Sequence, residues 1–309
     1  MTPSPNTAPT AGGLPTVLEV ADVIDLTASM RRIRFAGAGV AAYLGAPRIP
    51  NIKLFLPGPE GLRDLPTPDQ ADHHRVTAAQ RARVRTYTVR AYDAEAATLD
   101  IDFVRHGDEG LASAWAERAR PGDKLGALGG GGRLPAPSPW LALVADDTGV
   151  PGALAILEQL PAGQRGIALL EVDGAEHEQP VAAPRGVEVR WLHRRGARPG
   201  TSDVLLEAAL GLALPDPLKE DFIWVSAESR VVRAVRRHVR MLGVPRGNQL
   251  IIGYWRRGIT ETAYGTQSRN DRMPGESLVV LPENGKLRAD SLGRLFAGDA
   301  ESHLAESDD

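Results

Sequence analysis

The run Arg85-Thr86-Tyr87-Thr88-Val89-Arg90 gathers an aromatic face, hydroxyl and backbone donors, and two guanidinium groups within a few positions. Such a set could hold a dinucleotide that carries a flat ring system. Tyr87 offers a face for the ring, Thr88 a hydroxyl and an N–H, and Arg85 and Arg90 cations for a pyrophosphate. Side chains alternate along a strand, so Arg85 and Tyr87 point one way while Thr88 and Arg90 point the other. All four serve one ligand only if it wraps the end or edge of the strand. The same residues also read as an ordinary Thr/Tyr/Arg strand with solvated arginines.

Four further groups could carry chemistry. Gly110 opens a short helix whose first N–H groups, on Leu111, Ala112 and Ser113, are free to receive a phosphate. Asp108 and Glu109 beside it are unfavourable unless they face water, His106 reads as a polar contact, and Trp115 reads as core. Asp146-Asp147-Thr148-Gly149-Val150-Pro151 stands at a strand–helix junction, where Thr148 can cap the helix or touch a ligand. Arg190, His193, Arg194, Arg195 and Arg198 could grip an adenosine phosphate or form a solvated rim. Tyr254 and Trp255 could cover a flat ring, with Arg256 and Arg257 facing an anion, or they are core aromatics with rim arginines. Arg233, Arg236, Arg237 and Arg240 recur at helical spacing as an exposed face. Gly129 to Gly132 lack the spacing of a dinucleotide fingerprint, and His73-His74 is a weak metal pair.

The elements that must position these residues fall into two grammars. After a lead-in over 1–15 come short strands at Val17–Leu26, Met30–Phe35, Ile52–Gly58, Arg85–Asp93, Thr98–Arg105 and Lys124–Gly132. Leu99, Ile101 and Phe103 alternate with Asp100, Asp102 and Val104 as a half-buried antiparallel strand should. Six strands and one small helix over 16–135 predict an antiparallel β-barrel. A proline-rich linker, Pro135 to Pro139, then leads into continuous apolar strands at Trp140–Ala145, Gly166–Val172, Val187–Leu192, Phe222–Ser226 and Gln249–Trp255. They alternate with helices, which predicts an α/β parallel-sheet nucleotide-binding domain over 136–262. The extension over 263–309 is polar, with a possible short strand at Ser277–Leu281. It could fold over the site, mediate dimerisation or remain loose.

The 309 residues suffice for two domains, and 42% hydrophobic with 24% charged residues exclude whole-chain disorder. Zero cysteines exclude disulfides, iron–sulfur clusters and thiol catalysis. A net charge of −3 gives no global attraction to nucleic acid, and no apolar run suits membrane insertion. The first residues do not read as a secretory signal, so a cytoplasmic location is expected.

Arg85-x-Tyr87-Thr88-x-Arg90 resembles the flavin motif of the siderophore-interacting proteins, in the ferredoxin–NADP reductase superfamily. His106-Gly107 with Gly110-Leu111-Ala112-Ser113-Ala114-Trp115-Ala116, Asp146 to Pro151, Trp191 to Arg194 and Gly253 to Gly258 follow in family order. The resemblance implies a ferredoxin reductase-like fold with FAD on the barrel. It implies FAD contacts from Arg85, Tyr87, Thr88, Val89, Arg90, Asp102 and His106, and from Gly110 to Ser113. Asp147, Thr148, Tyr254 and Trp255 complete that set. It implies Arg194, Arg195, Glu228, Arg256 and Arg257 for NAD(P)H or substrate, and no catalytic group beyond the flavin. Electrons would pass from NAD(P)H, or from ferredoxin, to a ferric siderophore or another small-molecule acceptor. Two alternatives share these motifs: a flavin-dependent reductase in a biosynthetic pathway, and a non-catalytic flavin-binding module. Gly149, Gly152 and Ala227 depart from the family pattern and put the reductant in question.

Overall fold

The computed structural model describes residues 16–44, 51–67, 75–108, 110–129, 134–215, 220–266, 271 and 279–280. The lead-in, His73-His74, Glu109, Gly130 to Gly132 and the acidic end lie outside the described residues. Strands β1 (Thr16–Thr27), β2 (Met30–Ala36), β3 (Asn51–Phe55), β5 (Val84–Thr88), β6 (Ala91–Asp93), β7 (Thr98–Val104) and β8 (Lys124–Gly129) form one sheet; a short strand, β4 (Arg75–Val76), stands apart. The sheet order is β5-β3-β8-β1-β2-β7-β6, and every neighbouring pair is antiparallel.

The two edge strands, β5 and β6, are consecutive in the chain with only Val89-Arg90 between them. The sheet must therefore curl until its edges approach, which is what makes it a barrel. The run Arg85–Asp93, expected as one strand, is two: the chain turns a corner where the Arg90 N–H donates to the Asp100 carbonyl. The barrel thus counts seven strands rather than six. Leu18, Ile33, Phe35, Ile52, Leu54, Leu99, Ile101, Phe103 and Leu125 fill its interior. Trp115 packs on Phe35 and Phe103, as a core residue should. Asp100 and Asp102 point away from that interior yet are also buried. Arg34 and Arg32, opposite them on β2, each clasp one carboxylate bidentately at 2.7–2.9 Å.

The second unit is a parallel sheet of β9 (Trp140–Ala145), β10 (Arg165–Val172), β11 (Gly186–His193), β12 (Phe222–Glu228) and β13 (Gln249–Trp255), in the order β11-β10-β9-β12-β13. Helix Val150–Leu157 covers one face; helices Val204–Leu210 and Ser229–Met241 cover the other. A 3-10 turn, Ala175–His177, rather than a helix lies between β10 and β11. Strand order reverses between β9 and β12, so a crevice opens beyond their carboxyl ends. Arg90 clasps Glu158 at 2.6 and 2.8 Å, and Ser29 Oγ meets His177 Nδ1 at 2.7 Å. These contacts tie the barrel to the sheet. Among the described residues no helix is long and apolar enough to cross a membrane.

The chain beyond β13 packs onto this second unit. Helix Glu261–Thr266 buries Tyr264 completely. The Asp271 carboxylate accepts from Ser229, Arg233 and Arg236, and its carbonyl accepts from the Gly253 N–H. A Cβ at Gly253 would lie 2.2 Å from the Tyr264 hydroxyl, so only glycine admits this packing. Arg237 and Arg240 are exposed as expected, whereas Arg233 and Arg236 engage Asp271. Residues Val279–Val280 form β14, which pairs in parallel with β4.

Burial opposes ionisation of Asp271, but Ser229, Arg233 and Arg236 together hold its carboxyl below the ordinary range. A carboxylate whose pKa is depressed by folding stabilises above its unfolded value near ~4, and that increment disappears as pH falls through the folded value. Because both arginines are partly solvated, Asp271→Asn is expected to lose about 1–2 kcal/mol at pH 7. Thermal melts from pH 7 down to pH 3 check this: the gap between variant and wild type should close on acidification.

Candidate functional site

A cleft of about 940 Å³ lies between the barrel and the carboxyl ends of the parallel strands. Strand β5 bonds to β3 on one side only, so its free edge is available to the cleft. Arg85, Thr86, Tyr87 and Thr88 all line it. The Tyr87 ring packs on Phe103 at 4.4 Å, and burial pushes its hydroxyl above the ordinary phenol range, so it stays neutral. The Arg85 guanidinium donates to the Ala82 and Val84 carbonyls, with Glu261 3.7 Å from its Nε. The Thr86 N–H donates to the same Glu261 at 3.2 Å. Asp102 lines the cleft while held by Arg32.

Two expected members of this set are elsewhere. Val89 packs against the barrel core, and Arg90 is buried against Glu158. Neither lines the cleft, because the corner between β5 and β6 carries them past it.

The helix Leu111–Arg118 begins at Gly110, whose φ of +88° is available to glycine and which gives no side-chain cap. Its first backbone bond runs from Ala114 to Gly110, so the N–H groups of Leu111, Ala112 and Ser113 precede the helical ladder. All three residues line the cleft, with Gly110 and His106. The Ser113 hydroxyl accepts from the His106 N–H and donates to the Gly107 carbonyl, which fixes the loop. Asp108 faces solvent and pairs with Arg118 at 2.8 Å, clear of the helix start.

On the opposite wall, Asp146 joins the ends of three strands. Its carboxylate accepts from the Thr148 N–H and hydroxyl, the Glu228 N–H and the Trp255 indole N–H, at 2.6–2.9 Å. Burial drives its pKa up and those donors pull it back. Thr148, Tyr254, Trp255, Arg256 and Arg257 line the cleft. Arg194 also lines it, but its side chain is 4% exposed, lying 2.5 Å from Asp147 and 3.7 Å from Glu171. Burial lifts Asp147 to about 6 against the pull of Arg194. Burial, then Asp146, lift Glu171 to about 7. The cation expected to grip a nucleotide is thus held between two carboxylates. Arg195 is exposed with φ +53° and does not line the cleft. Glu228 also lies off the lining, where it caps helix Ser229–Met241 and accepts the Arg257 N–H.

The departures from the family pattern have local causes. A Cβ at Gly149 would lie 2.1 Å from the Ser226 carbonyl, and one at Gly152 would lie 3.2 Å from Trp224. Ala227 is buried within β12 without a left-handed backbone, and its methyl packs in the sheet's core rather than the cleft. The cleft also holds residues that no sequence motif pointed to, notably Glu171 and Glu261, and Asp146, which the junction motif contained without a role of its own. Glu171 had a signal: it is the lone charge in the apolar run Ile167 to Val172. Glu261 had none, since its approach to β5 depends on packing across the two units.

Two family models match the chain: a siderophore-interacting FAD-binding domain over residues 19–134 and siderophore-interacting protein over residues 138–258. The ferric vibriobactin reductase ViuB of Vibrio cholerae is 32% identical, over 76% of this chain and 87% of that one. The NADPH-dependent ferric-chelate reductase of Escherichia coli is 29% identical, over 71% of this chain and 84% of that one. The crystal structure of the siderophore-interacting protein SipS from Aeromonas hydrophila superimposes with a TM-score of 0.70 at 33% identity, covering 82% and 96% of the two chains. A ferredoxin reductase of carbazole 1,9a-dioxygenase, 16% identical with a TM-score of 0.55 over 78% and 69%, shares the fold.

Proposed function

The chain belongs to the siderophore-interacting protein family, and from that premise we propose an FAD-dependent reductase that passes electrons from NAD(P)H to Fe(III) in an anionic chelate. One observation carries the reading: the free edge of β5 and the open N-terminus of helix Leu111–Arg118 share a cleft with the carboxyl ends of a parallel sheet. The donor set fits the dinucleotide. Tyr87 walls the cleft with a ring, the N–H groups of Leu111, Ala112 and Ser113 suit a pyrophosphate, and Arg85 adds a cation. When bound, FAD supplies the conversion of two-electron hydride chemistry into single-electron transfer.

The chain's own part is placement and charge. Asp146 holds the Trp255 indole in one orientation on the cleft wall. Arg256 and Arg257, at the mouth, draw in an anionic chelate. Iron needs no protein ligand in this scheme, because its chelator holds it, and the lower charge of Fe(II) weakens hard-oxygen ligation enough for release. Ferredoxin is the alternative electron source, and the cytoplasm is the compartment that reduced pyridine nucleotide requires.

Purified protein is expected to be yellow, and Arg85→Ala with Tyr87→Ala to lose the flavin. Colourless protein that takes up no added FAD sinks the reading. Steady-state reduction of ferric chelates against quinones, dyes and free flavin separates iron release from a biosynthetic role. A flavin that stays oxidised with NADH, NADPH and reduced ferredoxin points to a module without turnover.

A further inference from the structure

We propose that Glu171 makes this cleft prefer NADH to NADPH, accepting a hydrogen bond from the bare 2′-hydroxyl of the adenosine ribose and repelling a 2′-phosphate. The inference rests on the function proposed above and adds to it the choice of nucleotide.

Glu171 lies near the carboxyl end of β10, the strand beside β9 on the side away from the reversal in strand order. In doubly wound sheets an acid at that strand end reads the ribose, whereas an arginine nearby accommodates the 2′-phosphate. Glu171 lines the cleft, and the Leu205 N–H pulls its pKa down against the effect of burial. Arg194 stands 3.7 Å away, beyond hydrogen-bond reach. A carboxylate has about four acceptor directions, so room is left for a hydroxyl.

The surrounding charges favour the same sugar. Asp146 and Asp147 close in from the end of β9, and Asp147 Oδ1 is buried without a partner. The cations that a 2′-phosphate would need are already engaged or displaced. Arg194 is held by Asp147, Arg190 is clasped by Glu188, and Arg195 stays off the lining. Among the described residues, Arg198 is the cation left to the cleft at this end, and it is solvated. One exposed guanidinium does not reverse the field of three buried carboxylates set against the single buried cation Arg194. Burial and Asp146 lift Glu171 to about 7 against the pull of Arg194, so the preference is read at pH 8, above that value.

FAD-loaded protein titrated calorimetrically at pH 8 with NAD⁺ and NADP⁺ gives the preference as an equilibrium. NAD⁺ is expected to bind more than about tenfold tighter, since a buried acceptor discriminates strongly between a hydroxyl and an anion. Glu171→Gln is expected to narrow that ratio several-fold by tightening NADP⁺. Equal or tighter binding of NADP⁺ by the wild type overturns the inference, as does an unchanged ratio in the variant. Stopped-flow mixing with both reduced nucleotides separates the two readings. A flavin reduced equally by either removes only the preference, whereas a flavin reduced by neither removes the NAD(P)H reading with it. If Glu171→Gln does not fold, the wild-type ratio decides alone.

Discussion

Arg194→Met is expected to destabilise the folded protein by about 3–5 kcal/mol at pH 8 and by far less at pH 5. The substitution keeps an unbranched apolar stem and removes the cation that faces both Asp147 and Glu171. Both carboxylates are almost fully buried, so their charges stay poorly solvated when the guanidinium goes. Their folded pKa values are raised, to about 6 and about 7, against unfolded values near ~4. Between those limits the folded state binds more protons than the unfolded chain, so stability falls as pH rises through the window. Losing Arg194 raises both values further and steepens that fall. Urea denaturation at pH 5, 6.5 and 8 measures it. A deficit independent of pH would show that Arg194 acts through packing rather than charge. Restoring neutrality with Asp147→Asn and Glu171→Gln should return most of the loss.

The second large effect is expected at Asp146. Asp146→Asn should lose about 2–4 kcal/mol, because it replaces one acceptor oxygen by an N–H₂ group that faces donors. Four groups converge on this carboxylate: the Thr148 N–H and hydroxyl, the Glu228 N–H, and the Trp255 indole. An amide satisfies at most two of them from its oxygen. The consequence reaches the cleft, since Trp255 is held there by that bond and by contact with Gly200, where a Cβ would lie 2.9 Å from its ring. Released, the indole should shift its fluorescence and lose its fixed orientation on the cleft wall. Denaturation midpoints and indole emission, read together, test the claim. Unchanged values of both would mean that the convergence does not hold the loop.

Much of this site was legible because its determinants are local. Gly110 ahead of Leu111-Ala112-Ser113 announces an open helix start, and the structure has one. The parallel strands were readable from uninterrupted apolar runs such as Trp140–Ala145, because burial on both faces leaves no polar phase. The alternation in β7 was also readable, but the burial of Asp100 and Asp102 was not. It follows from the register that sets Arg34 and Arg32 opposite them. The single strand expected over Arg85–Asp93 failed for a similar reason. Nothing in its spelling marks the corner at Val89-Arg90, which exists because the barrel closes there.

The amino-acid order by itself determined the two-unit architecture, the order of its strands along the chain and the cluster of donor-bearing motifs, since periodicity and capping act over a few residues. Tertiary structure alone decided which cation serves which anion. Arg85 faces the cleft, Arg90 is turned to Glu158, and Arg194 is clasped by Asp147. The physical reason is that a guanidinium is neutralised by whichever carboxylate folding brings within a few ångströms. Those carboxylates arrive from distant segments of the chain, at separations that no local spacing records.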